Sequence, residues 1–129
     1  NNRSQIIKTE SNTVILDAYN ANPTSMMAAL KNFNEYKATS KTIVLGDMFE
    51  LGNDSQKEHQ AIVDFSNQLQ FTNYFFIGES FSKTENSEHT FKTFDDFKMY
   101  IKQHPIQKNT ILIKGSRGMA LERAVETMC

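Results

Sequence analysis

Short runs of apolar, mostly β-branched residues recur along this chain, and segments with helical periodicity separate them. The clearest runs lie at 13–17, 41–46, 74–78 and 110–114. Strands that are apolar on both faces are typical of a parallel sheet that is covered on both sides. Because the intervening segments are long enough for crossovers, the alternation predicts a three-layer, Rossmann-like α/β fold with helices on both faces.

The edges of the predicted sheet depart from this pattern. Residues 5–9 have the character of a first strand, and only Glu10, Ser11 and Asn12 separate it from the next one. A connection this short cannot form a crossover, so the first strand is expected to run antiparallel to its neighbour in a mostly parallel sheet. A short edge strand is also expected within 89–94.

The predicted helices follow the strands and carry one apolar face each. Asn22 followed by Pro23 predicts a helix start, because Asn can cap the first amides and Pro gives up no hydrogen bond there; this helix is expected over 23–36. Ser55 and Glu58 have the capping-box spacing, which predicts a second helix with Ser55 as its cap. The other helical segments are expected within 79–88 (one turn), at 95–104 and at 119–128.

Bulk composition limits the possible functions. A chain of 129 residues suits one domain, 1–129, with a single fold. The 14 basic and 15 acidic residues nearly balance, which argues against a nucleic-acid-binding surface. No apolar run is long enough to cross a membrane, so no membrane partner is expected. The single cysteine, Cys129, fits a reducing cytoplasm.

Polar loops that contain glycine or a helix cap follow the predicted strands at their carboxyl ends. In a parallel sheet these ends emerge along one edge, and ligands bind there. The loops are therefore expected to converge, and their positions are 17–22, 46–52, 78–80 and 114–118.

Two of these loops carry groups that suit anions. Asn22 stands at a helix start, where exposed amides attract phosphate, although capping alone also explains this residue. Lys114, Ser116 and Arg117 combine two cations with a hydroxyl, a set that can hold a carboxylate. A surface turn with ordinary salt bridges is the alternative for this second group.

Metal binding is weighed at loop 46–52, which contains Asp47 and Glu50. Carboxylates suit Mg²⁺, but a turn with solvated acids is more common for this pattern, and no metal ligand is assigned. The three histidines show no metal-ligand spacing and no adjacent nucleophile. His59, near a helix start, is expected to cap or to pack.

Three segments of the chain resemble motifs of the Mur ligases, in the order in which that family carries them. They read DAYNANPTSM at 17–26, GDMFELG at 46–52 with His59 beyond it, and KGSRGM at 114–119. Together they extend over nearly the whole chain. The sequence is thus similar to the C-terminal domain of this family, and the residues of its motifs most resemble those of the members that add a dipeptide.

The resemblance implies a role in peptidoglycan biosynthesis. It implies an enzyme that uses ATP and Mg²⁺ to join D-alanyl-D-alanine to UDP-N-acetylmuramoyl-tripeptide. The chain has no Gly-x-x-x-x-Gly-Lys-Ser/Thr loop, so a missing central domain is expected to hold the triphosphate and the metal. The chain would then be a fragment of a multidomain ligase, with missing N-terminal and central domains as its partners, no catalytic residue of its own and no activity alone.

The resemblance also implies roles for individual residues. Asp17 matches the family's aspartate that binds the ATP ribose. The nucleotide-binding residues implied in this way are Arg3, Asp17, Tyr19, Asn20 and Asn22. The residues implied to bind or border the dipeptide are Asp47, Lys114, Ser116 and Arg117.

Two alternatives stay open at this point. Another Mur ligase, or a related folylpolyglutamate synthetase, would use the same fold with a different amine substrate. A stand-alone nucleotide-binding or protein-interaction module would keep the fold without the chemistry. A dinucleotide-binding domain is poorly supported, because no Gly-x-Gly-x-x-Gly follows the early strand.

Overall fold

A six-stranded sheet forms the centre of the structure. The computed structural model describes residues 4–86 and 88–128. The strands are β1 (Gln5–Lys8), β2 (Asn12–Asp17), β3 (Lys41–Gly46), β4 (Asn73–Ile77), β5 (His89–Phe91) and β6 (Asn109–Lys114). Their order in space is β1-β2-β6-β3-β4-β5. β1 runs antiparallel to β2 and every other pair is parallel, which confirms the predicted sheet.

Helices cover both faces of this sheet. They are α1 (Pro23–Glu35), α2 (Ser55–Gln68), α3 (Glu79–Ser82), α4 (Phe94–Gln103) and α5 (Arg123–Thr127). Side chains alternate along each strand, so Ile43 and Leu45 of β3 pack with α1, α2 and α3, whereas Val44 packs with α4 and α5. Two apolar layers therefore sandwich the sheet, and the three-layer prediction is confirmed. Within residues 4–86 and 88–128, no helix is both long and apolar enough to span a membrane.

The first helix starts as its sequence predicts. The Ser25 amide donates to Asn22 Oδ1 at 2.8 Å, and the Asn22 amide donates to Ser25 Oγ at 3.0 Å. This reciprocal pair is a capping box built from Asn and Ser. Pro23 takes the first helical position, where its missing amide hydrogen leaves no bond unmade.

The second helix starts differently from the prediction that Ser55 caps it. A 3₁₀ turn at Gly52–Asp54 leads into α2, so the backbone is already helical at Asp54 and Ser55 is the first residue of the helix. Asp54 occupies the cap position without a side-chain hydrogen bond. The predicted capping box is therefore wrong. The Ser55 hydroxyl instead lies 3.3 Å from Ser80 Oγ.

The last helix is shorter than the predicted segment 119–128. Arg117–Met119 forms a 3₁₀ turn, and Ala120 then adopts a left-handed conformation with φ of 52°, which an α-helix cannot contain. The Arg123 guanidinium donates to the carbonyls of Ala120 and Met119 at 2.8 and 2.9 Å and so stabilises this break. The residues predicted to face inward lie buried or partly buried against the sheet: Leu121, Ala124, Val125 and Met128.

Lys41 caps the carboxyl end of α1 from the start of β3. Its Nζ donates to the carbonyls of Phe33, Asn34 and Tyr36 at 2.9, 2.8 and 3.0 Å. Burial lowers the pKa of the Lys41 ammonium by desolvation, which offsets part of this gain at neutral pH. We expect Lys41→Met to lower the free energy of unfolding, measured in urea, by about 1–2 kcal/mol.

Lys37 provides the control for this substitution, because it lies exposed just beyond the end of the same helix. Lys37→Met is expected to change the free energy of unfolding by less than about 0.5 kcal/mol. Equal effects of the two substitutions would show that the three carbonyl contacts of Lys41 add nothing to stability.

Candidate functional site

The polar loops that were predicted to converge do so at the carboxyl edge of the sheet. β6 lies between β2 and β3 in space, so the loops that follow these three strands are neighbours. Hydrogen bonds join loop 114–118 to both of the others. We name this region the rim and define it as residues 17–22, 46–52, 78–80 and 114–118. The prediction of convergence, made from topology, is confirmed.

Lys114 connects loop 114–118 to loop 17–22. Its Nζ lies 2.9 Å from Asp17 Oδ2 and also donates to the Asn20 carbonyl at 2.9 Å. Lys114 is only 3% exposed, whereas a quarter of the Asp17 side chain is open to solvent. Burial strengthens this charge-assisted contact and makes a lone charge costly. The contact of Lys114 with a ligand carboxylate stays a prediction. Within the protein, Lys114 holds loop 17–22 in place.

Asp47 also faces inward. Its Oδ2 accepts from the Ser80 amide at 2.9 Å and its Oδ1 from the Phe81 amide at 3.0 Å, so it caps the start of α3. It is 6% exposed. Gly78 makes this approach feasible, since a Cβ built there would lie 2.3 Å from Asp47 Cγ. The implied role of Asp47 beside the dipeptide stays a prediction, and its structural role was not predicted.

Ser116 joins loop 114–118 to loop 46–52 through two hydrogen bonds. Its amide donates to the Asp47 carbonyl at 3.0 Å, and its Oγ accepts from the Phe49 amide at 2.8 Å. A hydroxyl that accepts one hydrogen bond still carries a proton that it can donate. Ser116 can therefore hold the loop and offer a donor at the same time.

The groups that the rim presents to solvent are different ones. The Arg117 guanidinium lies 5.4 Å from the centre of the Tyr19 ring. Tyr19 and Phe49 are 47% and 46% exposed, and Asn20 and Arg117 are exposed as well. The Phe49 ring lies against Gly118, where a Cβ would come within 2.6 Å of Cε2. An exposed cation thus lies beside the Tyr19 ring, and a second exposed ring, that of Phe49, lies against the next residue of the same loop, a combination that suits a planar or a carboxylate-bearing ligand.

His59 lies beneath the rim and is fully buried. Its Nε2 accepts from the Met48 amide at 3.0 Å, and its Nδ1 lies 2.7 Å from the Ser55 carbonyl. Asp47 Oδ1 is 3.8 Å from Nε2. The predicted packing role of His59 is confirmed. Phe49 lies in a loop that was predicted to reach the rim, but it was not among the predicted site residues; an aromatic side chain between two glycines of a polar loop was the available signal.

Arg3 and Asn22 differ from the other residues that were predicted to bind the nucleotide. Arg3 lies outside the described residues. Asn22 uses its side-chain oxygen to cap α1, so its capping role is confirmed and its contact with a nucleotide stays a prediction. Asp17, Tyr19 and Asn20 do come together, through Lys114 and Arg117.

The rim does not fit a resident divalent metal in the part of the chain that the structure describes. There, no three side chains of His, Cys, Asp or Glu are grouped as ligands. Both Asp47 oxygens accept amide hydrogens, which a bound cation would have to displace. No step is therefore assigned to Mg²⁺ on these residues.

The sheet and its rim define a Rossmann-like α/β domain whose polar loops meet at the carboxyl edge of the sheet. The family profile described as "Mur ligase, glutamate ligase domain" matches residues 2–129. The chain belongs to this family.

Several known proteins are similar to almost the whole of this chain, in sequence or in structure. The UDP-N-acetylmuramoyl-tripeptide–D-alanyl-D-alanine ligase of Rickettsia prowazekii is 34% identical over 96% of the chain, which spans 29% of that relative. A crystal structure of MurF from Acinetobacter baumannii has a TM-score of 0.81 and 27% identity, over 98% of this chain and 29% of that one. MurF from Thermotoga maritima, solved in complex with ADP, has a TM-score of 0.80 over 98% of this chain and 30% of that one. At 19% identity this last likeness shows the fold alone.

Proposed function

We propose that this chain is the C-terminal part of an ATP-dependent ligase that adds D-alanyl-D-alanine to UDP-N-acetylmuramoyl-tripeptide during peptidoglycan biosynthesis. The names of the relatives support the reaction. The chain spans only 29% of the Rickettsia relative, so the remaining domains are part of the proposal. Those domains would hold the phosphates of ATP and the Mg²⁺ ion, and this chain alone would be inactive.

One observation carries the proposal: buried Lys114 and Ser116 hold the exposed groups of the rim in place. Lys114 contacts Asp17 through Oδ2, which leaves capacity on the same carboxylate to accept a ribose hydroxyl. Tyr19 and Asn20 stand beside it at the surface. These residues would form the nucleotide side of the site. Arg3 and Asn22 belong to the same side of the proposal.

The dipeptide side consists of Arg117 and Ser116. A guanidinium binds a carboxylate through two parallel hydrogen bonds, and the Ser116 hydroxyl adds a neutral donor. Binding the dipeptide carboxylate here would fix the direction of its amine towards the acyl group on the other domains. This contribution is one of orientation, and it needs no catalytic residue in this chain. Lys114 and Asp47 would act by positioning the loops.

The proposal is tested in the full-length ligase with Arg117→Ala. We expect the KM for D-alanyl-D-alanine to rise about 10- to 100-fold, the equivalent of one charge-assisted contact, with a small change in the KM for ATP. Lys102→Ala is the control, because Lys102 is an exposed cation on α4, outside the rim. It should leave both KM values unchanged.

The outcomes separate the candidate functions. An increase only in the KM for ATP would show that Arg117 binds the nucleotide and not the dipeptide. Preference for glutamate over the dipeptide would favour a folylpolyglutamate synthetase or another Mur ligase. No ligation with any amine would favour an interaction module. Turnover by the 129-residue chain alone, in a phosphate-release assay, would contradict the division of roles.

A further inference from the structure

The contacts of His59 fix the position of its proton. The Ser55 carbonyl can only accept a hydrogen bond, so the Nδ1 atom 2.7 Å away carries hydrogen. The Met48 amide can only donate, so Nε2 at 3.0 Å must be unprotonated. Both contacts are satisfied together only by the neutral imidazole with its proton on Nδ1. The rings of His59 and Phe81 pack edge to face, with 4.7 Å between their centres.

The Met48 amide is the middle link of a chain of backbone contacts. On one side, the Asp47 amide donates to the Ile77 carbonyl at 3.1 Å, and the Asp47 carbonyl accepts from Ser116. On the other side, the Phe49 amide donates to Ser116 Oγ. The amides of three consecutive residues are thus held by β4, by α2 and by the loop after β6, and His59 holds the middle one. The peptide plane between Asp47 and Met48 is held at its carbonyl by the Ser116 amide and at its amide by His59, so losing the histidine contact would loosen this plane at its amide side.

We propose that His59 is a positioning residue for the dipeptide. Through the Met48 amide it sets the placement of Phe49 and of the Ser116 hydroxyl at the rim, without touching the ligand. The identity of the ligand rests on the proposed function. His59 is fully buried, so it acts through this backbone and not through solvent or substrate.

Two substitutions separate positioning from packing. The amide of His59→Gln reaches about as far as Nε2 and can present an oxygen to the Met48 amide. The shorter amide of His59→Asn reaches only as far as Nδ1, so it can serve Ser55 but not Met48. Both remove the ring from its contact with Phe81 and create a similar defect in the core, which makes them a matched pair. His104→Gln, at an exposed histidine, is the control.

The kinetic test uses the full-length ligase below the unfolding temperature of every variant. We expect His59→Asn to raise the KM for D-alanyl-D-alanine about tenfold, with a smaller effect on kcat, and His59→Gln to restore it to within about threefold of the wild type. His104→Gln should match the wild type. Equal KM values for the Asn and Gln variants would overturn the proposal, since packing alone would then explain the residue.

A spectroscopic test keeps this inference separate from the function. Nitrogen-15 spectra of the imidazoles should show His59 with its proton on Nδ1, and a proton on Nε2 would overturn the proposal. The amide resonances of Met48, Phe49 and Ser116 should move in His59→Asn and stay near their wild-type positions in His59→Gln. If the ligase proves to use another amine, these shifts still decide whether His59 holds the rim.

Discussion

Replacing Gly78 by alanine is expected to lower the free energy of unfolding by at least about 3 kcal/mol. Gly78 has φ of 131° and ψ of 166°, a region that essentially only glycine occupies. The new Cβ would lie 2.3 Å from Asp47 Cγ, so the carboxylate must move. That movement leaves the two amides at the start of α3, which donate hydrogen bonds to Asp47, without an acceptor. Urea unfolding followed by circular dichroism measures the loss.

Gly52 supplies the control for this substitution. It also has a positive φ, of 57°, but nothing lies within 4 Å of a Cβ built there. Gly52→Ala should therefore show the backbone penalty alone, about 1–2 kcal/mol. If the two alanine variants lost equal stability, the close approach of Asp47 to Gly78 would carry no energetic weight.

Removing the charge of Lys114 is the second large perturbation. Lys114→Met should lower the free energy of unfolding by about 2–3 kcal/mol, since it leaves Asp17 and the Asn20 carbonyl without their buried cation. The value lies below that of a fully buried pair because Asp17 is partly exposed and water can solvate it. Chemical denaturation of Lys114→Met, Asp17→Asn and the double variant gives the coupling between the two residues.

An exposed ion pair of the same type provides the reference. Lys92 Nζ lies 3.7 Å from Glu79 Oε1, and both side chains are about two-thirds exposed or more, at 67% and 71%. Lys92→Met should change stability by less than about 0.5 kcal/mol. A coupling energy near zero for Lys114 and Asp17 would show that their contact orders the rim without stabilising the fold.

The sheet could be predicted from sequence because its signal is local. Continuous apolar runs mark the strands, and the short link at Glu10–Asn12 marks the antiparallel edge. The two errors concern helix ends. Ser55 has a capping-box spacing, but the preceding residues already form a 3₁₀ turn and so displace the cap. The left-handed Ala120 carries no sequence signal, because its conformation depends on contacts with Arg123.

The rim was predictable as a place but not in its detail. Strand polarity alone brings the loops together, whereas contacts between the loops decide which of their side chains are exposed to solvent. Asp47, Lys114 and Ser116 look like exposed polar residues in the sequence and are buried in the structure. Phe49 is the reverse case: it is an apolar residue, yet 46% of it is exposed. Such inversions arise from contacts between distant loops, which no local pattern encodes.

The position of β6 has a consequence for synthesis of the chain on the ribosome. β6 is the last strand to emerge, yet it pairs with β2 on one side and β3 on the other. Until residues 109–114 leave the exit tunnel, the nascent polypeptide holds two half-sheets with open inner edges, which are prone to misassociation. The same insertion brings Lys114 and Ser116 into place, so the rim is complete only once β6 has entered the sheet.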